Sequence, residues 1–167
     1  MPFVQDMTRT LHKILRGEIA AVEAYERALH KLRPDDPDLP TFERITREHA
    51  EAVEVLREHV ALEGDAPDEG AGAWGTYTRL LEKAMEWVDE DGDLKNLKEG
   101  EVHGLAEYRT SLGHDDLAPG LREEIRTRLI PRQEEHIAVL DGILKRRERI
   151  RHGASRAVDN SGGAIGG

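Results

Sequence analysis

Apolar positions along the chain recur with one dominant period. Val4, Met7, Leu11, Ile14, Glu18, Val22, Tyr25, Leu29 and Leu32 follow one another every three or four residues, the spacing that lines up one face of a helix. Arg33-Pro34-Asp35-Asp36-Pro37 breaks the run, because a proline removes a backbone donor and disfavours helix in the residue before it. A second stripe runs through Phe42, Ile45, His49, Val53, Leu56 and Val60, and a third through Leu94, Leu97, Glu101, Leu105, Tyr108 and Leu112. The fourth is Leu121, Ile125, Leu129, His136, Leu140 and Ile143, with Pro131 inside it. These stripes predict long antiparallel helices over roughly 3–32, 39–62, 93–112 and 118–149. A shorter helix is expected near 74–89, from Trp74 through Tyr77, Leu81, Met85 and Val88. It follows the longest internal loop, Gly64 to Gly72, and with it forms a crossover from one end of a bundle to the other. Pro131 should kink the last helix about a turn before His136.

The expected fold is therefore all-α, an antiparallel four-helix bundle with a short extra helix in its long crossover. It occupies residues 1–152 as one domain, and the Gly- and Ser-rich stretch 153–167, without periodicity, reads as a disordered tail. Composition agrees: of 167 residues 35% are charged and only 4% aromatic, a balance that suits amphipathic helices better than sheets. The net charge of -10 argues against nucleic acid as a partner, since phosphate binding rests on Lys and Arg. Cysteine is absent, which excludes disulfides, thiolate metal sites and Cys nucleophiles. No apolar run reaches membrane-spanning length and the first residues lack the features of a signal peptide, so no membrane is expected and the default location is cytoplasmic.

Two segments read almost alike. Gly17-Glu18-Ile19 leads to Tyr25 and Leu29, and Gly100-Glu101-Val102 leads to Tyr108 and Leu112 at identical spacing; each is followed by a helix with one histidine in its stripe, His49 and His136. The midpoint between Glu18 and His49 falls between Arg33 and Pro34, and that between Glu101 and His136 falls between Ala118 and Pro119. Residues equidistant from the turn of a helical hairpin sit at the same height, so each Glu should face its His. If the hairpins pack as equivalent halves, all four groups converge at mid-bundle with Tyr25 and Tyr108 lining the same cavity. Buried Glu and His in such numbers are avoided by ordinary cores and used by metal sites. His12, His30, His59, His103, His114 and His152 fall off the stripes or at helix ends and read as solvated.

Glu on the first and third helices, His on the second and fourth, a long crossover, and Tyr seven residues after each Glu resemble the ferritin-like superfamily, including bacterioferritins and rubrerythrins. The hairpin from Leu15-Arg16-Gly17-Glu18 to Leu62-Glu63-Gly64 is especially similar to bacterioferritin, and the chain up to about Arg147 resembles small bacterial bundle proteins of unknown function in the same superfamily. The resemblance implies a metal ion, iron, held by Glu18, His49, Glu101 and His136, a role in iron or oxidative-stress handling, weak ferroxidase-type activity, and room for a homo-oligomer. It also exposes a departure. Di-iron members place a bridging Glu three residues before each His, and here those positions hold Thr46 and Gln133. Two carboxylates neutralise one divalent cation, not two, while Glu48, Glu51, Glu134 and Glu135 point by helical phase to the flank. The competing reading is a metal-free helical bundle, held together by Glu-His-Tyr hydrogen bonds, that serves as a structural or interaction module.

Overall fold

The computed structural model describes residues 2–64 and 90–161, which are helical apart from the turns that join them. Helix α1 spans Pro2–Lys31, α2 Leu39–Leu62 and α3 Glu90–Ser111. The fourth rod is composite: α4 at Pro119–Glu124, a π-helical turn at Ile125–Leu129, and α5 at Ile130–Ser161. The short helix expected near 74–89 lies outside the described residues.

α1 packs on α2, α3 on α5, and α1 on α3. One apolar cluster joins Leu11, Ile14 and Leu15 of α1 to Val53, Leu56 and Val60 of α2, Tyr108 of α3, and Leu121, Ile125 and Leu129 of the fourth rod. The other joins Ala24, Tyr25 and Ala28 to Phe42 and Ile45, Leu94 and Leu97, Leu140 and Ile143. Early α1 thus meets late α2 and late α3. The last turn of α2 and the first turn of α3 therefore lie at opposite ends of the bundle, as a long crossover requires. Between the two clusters lies a buried polar layer of Glu18, His49, Glu101, Gln133 and His136.

The ends are closed by identifiable contacts. Pro40 sits in the first turn of α2, where its missing N–H costs nothing. Asp38, just before it, makes no side-chain cap bond; its carboxylate is taken by Arg146 and Arg147 of α5, which tie the α1–α2 turn to the opposite hairpin. Beyond the end of α2 stands Gly64, whose φ of 78° is open to glycine at no steric cost. Arg122 reaches back with 2.6 Å hydrogen bonds to the Leu112 and His114 carbonyls, holding the turn that follows α3.

Pro131 is accommodated by a π-turn. In a regular helix its ring would collide with the carbonyl of residue 127; here the backbone widens just before it, with Ile130 N–H bonded to Ile125 O. The wider turn suits the buried residues, which recur at steps of four through Leu121, Ile125, Leu129 and Gln133, more than the about 3.6 of an α-turn.

One sequence expectation changes in part. Of the stretch 153–167 read as a disordered tail, residues 153–161 continue α5 as helix, and 162–167 lie outside the described residues. The missing period there reports missing packing, for residues 148–156 are all exposed, and an established helix can propagate through Ala and Arg without burial. Two glycines of α3 have different surroundings. A Cβ on Gly100 would meet nothing within 4 Å, whereas one on Gly104 would stand 2.8 Å from Gln133 Nε2.

Candidate metal centre

All four residues singled out by the repeat meet in the polar layer. Glu18 comes from α1, His49 from α2, Glu101 from α3 and His136 from α5, and each is at most 5% exposed. Each was placed there by its stripe, since a residue in the middle of an apolar face is buried with that face. His49 is the hinge of the group. Its Nδ1 lies 2.7 Å from Glu18 Oε2 and its Nε2 3.0 Å from Glu101 Oε1. The His136 ring is 4.9 Å away, centre to centre, tilted at 60°.

The tyrosines bind across the halves. Tyr108 donates to Glu18 Oε1 at 2.6 Å, and Tyr25 donates to Glu101 Oε1 while its ring stacks on His49 at 5.4 Å. Each hydroxyl of one hairpin therefore holds the carboxylate of the other. Both phenols line, with Glu18, His49 and Glu101, a cavity of about 50 Å³ between α1 and α3; His136 does not line it.

Thr46 and Gln133 supply no carboxylate. Thr46 turns back to its own helix, donating to the Phe42 carbonyl at 2.7 Å. Gln133 donates from Nε2 to Glu101 Oε2 at 2.5 Å and to the Glu101 carbonyl at 3.1 Å. The second hairpin's own pair is looser than the first: His136 Nδ1 stands 3.4 Å from Glu101 Oε2, is buried, and makes no hydrogen bond.

Glu48 does not stay on the flank as its helical phase suggested. Its Oε2 lies 2.7 Å from His136 Nε2, and Arg44 Nη1 holds both of its oxygens at 3.1 Å. Helical phase misses it because a long side chain at the edge of α2 can reach α5 from a position outside the apolar stripe. Glu51 meets Arg132 at 3.0 Å, Glu134 meets Arg109 at 2.6 Å, and Glu135 meets Arg44 at 3.1 Å. The only sequence signal for Glu48 is the four-residue spacing from Arg44.

Charge is set by these contacts. Burial alone would lower the His49 pKa, but the Glu101 and Glu18 carboxylates overcome it and raise it to about 10. Burial likewise opposes ionisation of Glu101, and His49 with His136 hold it down at about 2. Burial and then the neighbouring carboxylates push both phenols well above the usual range, Glu101 acting on Tyr25 and Glu18 on Tyr108. At Glu48 hydrogen bonds from His136 and Arg44 outweigh burial and favour the charged form.

His49, Glu101 and His136 each offer one ligand atom, all within 4.8 Å of one another. Glu18 stands outside that trio, on the far nitrogen of His49. The family model of a domain of unknown function, DUF2383, matches residues 6–114. The chain belongs to the DUF2383 family. Within this DUF2383 chain the match takes in Glu18, His49 and Glu101 and stops short of His136. A crystal structure described as ferritin like, diiron-carboxylate proteins from Bacillus anthracis str. Ames is similar over 90% of this chain and 98% of its own, at 15% identity and a TM-score of 0.56. The fold of this DUF2383 protein is thus ferritin-like. Comparison with curated proteins gives no match. No described helix is long and apolar enough to cross a membrane.

Proposed function

We propose that this protein binds one divalent metal ion, iron, at mid-bundle, with His49, Glu101 and His136 as ligands and Glu18 holding His49 from behind. The observation that carries the reading is the face the three groups present to one another. His136 gives Nε2 to Glu48, so its remaining nitrogen, buried and without a hydrogen bond, looks at Glu101 across 3.4 Å. A buried nitrogen beside a buried carboxylate is costly unless a cation stands between them.

Charge points to one ion rather than two. Two carboxylates, Glu18 and Glu101, face one imidazolium, His49, and leave one negative charge. A divalent cation in place of the His49 Nε2 proton leaves none. With Thr46 and Gln133 at the bridging positions, a second ion would add charge that nothing in the layer offsets.

Two imidazoles and one carboxylate suit iron and its neighbours better than calcium or magnesium. Such an ion supplies one-electron chemistry with oxygen or peroxide. The residues around it do the rest: Glu18 orients His49, Tyr25 and Tyr108 hold the carboxylates, and the two apolar clusters exclude bulk water. Iron or oxidative-stress handling, with weak ferroxidase-type turnover, is the role this arrangement supports.

The metal-free structural reading rests on a different observation. Both His49 nitrogens and both Glu18 oxygens already have partners, so half the layer is satisfied without an ion. Protein made without a histidine tag and titrated with Fe²⁺ under anaerobic conditions separates the two, with elemental analysis as the readout. One iron per chain supports the metal site; no uptake of iron, manganese, cobalt or zinc favours the metal-free bundle.

A further inference from the structure

Glu48 precedes His49 as Glu135 precedes His136; it occupies no bridging position, and yet its carboxylate meets the histidine of the other hairpin, His136. We propose that Glu48 is a positioning residue that selects which nitrogen of His136 faces the centre, so that the centre is held by unlike nitrogens, Nε2 of His49 and Nδ1 of His136. This rests on the metal-site reading above and adds to it the orientation of the second histidine.

The two imidazoles are each held by a carboxylate on one side and look toward Glu101 with the other. Glu18 takes Nδ1 of His49 at 2.7 Å, leaving Nε2; Glu48 takes Nε2 of His136 at 2.7 Å, leaving Nδ1. A neutral imidazole has one N–H, and a strong acceptor on one nitrogen fixes the proton there and the lone pair on the other. The holders come from non-equivalent places. Glu18 lies at the heart of the α1 stripe, whereas Glu48 lies beside His49 on α2 and crosses to α5.

Glu48 is itself held firmly. Arg44 grips both of its oxygens at 3.1 Å, and Arg44 is steadied in turn by Glu135 on α5 at 3.1 Å. Nothing else among the described contacts reaches His136 Nε2. The chain Glu135–Arg44–Glu48–His136 therefore ties the His136 ring of α5 to α2. Carboxylates placed in this way typically carry about 10- to 100-fold of metal affinity.

The test uses the full chain as wild type, Glu48→Ala and Glu48→Gln. Long-range ¹⁵N imidazole spectra of the metal-free proteins report the His136 tautomer, and Zn²⁺ titration reports affinity. Wild type should show His136 protonated on Nε2. Glu48→Ala should show a mixed or inverted tautomer and a Zn²⁺ affinity about 10- to 100-fold weaker. Glu48→Gln, whose amide oxygen still accepts from Nε2–H, should keep the tautomer and recover most of the affinity. An unmoved tautomer in Glu48→Ala overturns the proposal, as does equal loss of affinity in both variants. If wild type takes up no metal, the metal reading fails, and a tautomer shift in Glu48→Ala still supports Glu48 as the residue that sets the ring.

Discussion

Thr46 and Gln133, each three residues before its histidine, are spent in opposite ways. Thr46 bonds its own helix through the Phe42 carbonyl, whereas Gln133 crosses to α3 and donates to the Glu101 carboxylate at 2.5 Å. The pseudo-repeat is thus symmetric in sequence and asymmetric in chemistry. In one half Glu18 meets His49 and Tyr108; in the other Glu101 meets His49 and Tyr25 and takes Gln133 as well.

The amide at position 133 matters because its neighbour is charged. Gln133→Glu sets a second carboxylate against Glu101 without an ion between them, and should destabilise the metal-free protein by about 3 kcal/mol. Thr46→Glu together with Gln133→Glu should restore two carboxylates facing the histidines and raise bound Fe²⁺ from one towards two per chain. Urea unfolding with chelator and elemental analysis after iron titration measure the two effects. Two ions in the unmodified chain would refute the charge argument.

His49 balances both buried carboxylates in the metal-free state. His49→Ala should cost about 3 to 5 kcal/mol by leaving buried charge unpaired, and urea unfolding reads it. A loss below about 1 kcal/mol would mean that Glu18 and Glu101 are not both ionised.

The same pairing sets a pH window for the metal-free protein. His49 is raised from 6.5 to about 10, so its contribution is complete below 6.5 and is lost as pH rises through about 10. Glu101 is lowered from 4.5 to about 2, so its contribution is complete above 4.5 and is lost as pH falls through about 2. Thermal stability with chelator present should peak between these limits and fall on both sides. His49→Gln should flatten the alkaline slope; an unchanged slope would remove His49 as its cause.

Tyr25→Phe and Tyr108→Phe each delete one hydrogen bond to a buried carboxylate, and each should cost about 1.5 to 3 kcal/mol. Both bonds converge on the His49 pair, so the double variant should depart from additivity. A full thermodynamic cycle by urea unfolding gives the coupling, and strict additivity would show that the halves act independently.

Gly100→Ala places its methyl in open space and should stabilise α3 by about 0.5 to 1 kcal/mol. Gly104→Ala drives one to 2.8 Å from Gln133 Nε2 and should destabilise, because that amide is tied to Glu101 by two hydrogen bonds. Paired melting curves distinguish them, and a stable Gly104→Ala would show that Gln133 moves freely.

The helices and the meeting of Glu18, His49, Glu101 and His136 were legible in the sequence because period and turn midpoints both report height and facing on a helix. Tyr25 and Tyr108 were legible for the same reason. Glu48 was not, since the reach of a side chain across a helix gap leaves no mark on the period of its own helix. Which nitrogen of each histidine turns inward was equally hidden, being decided by partners on other helices. The helical course of residues 153–161 escaped because amphipathic pattern detects burial, and residues 153–156 are exposed.

The π-turn before Pro131 carries one residue more than a regular turn would. Removing any one residue from 125–129 would restore ordinary pitch and rotate one side of the rod against the other by about 100°. Either Leu121 and Ile125 or Gln133 and His136 would then leave the buried face. The extra residue works as an angular spacer: it lets a single rod serve the apolar end of the bundle and the polar layer at once.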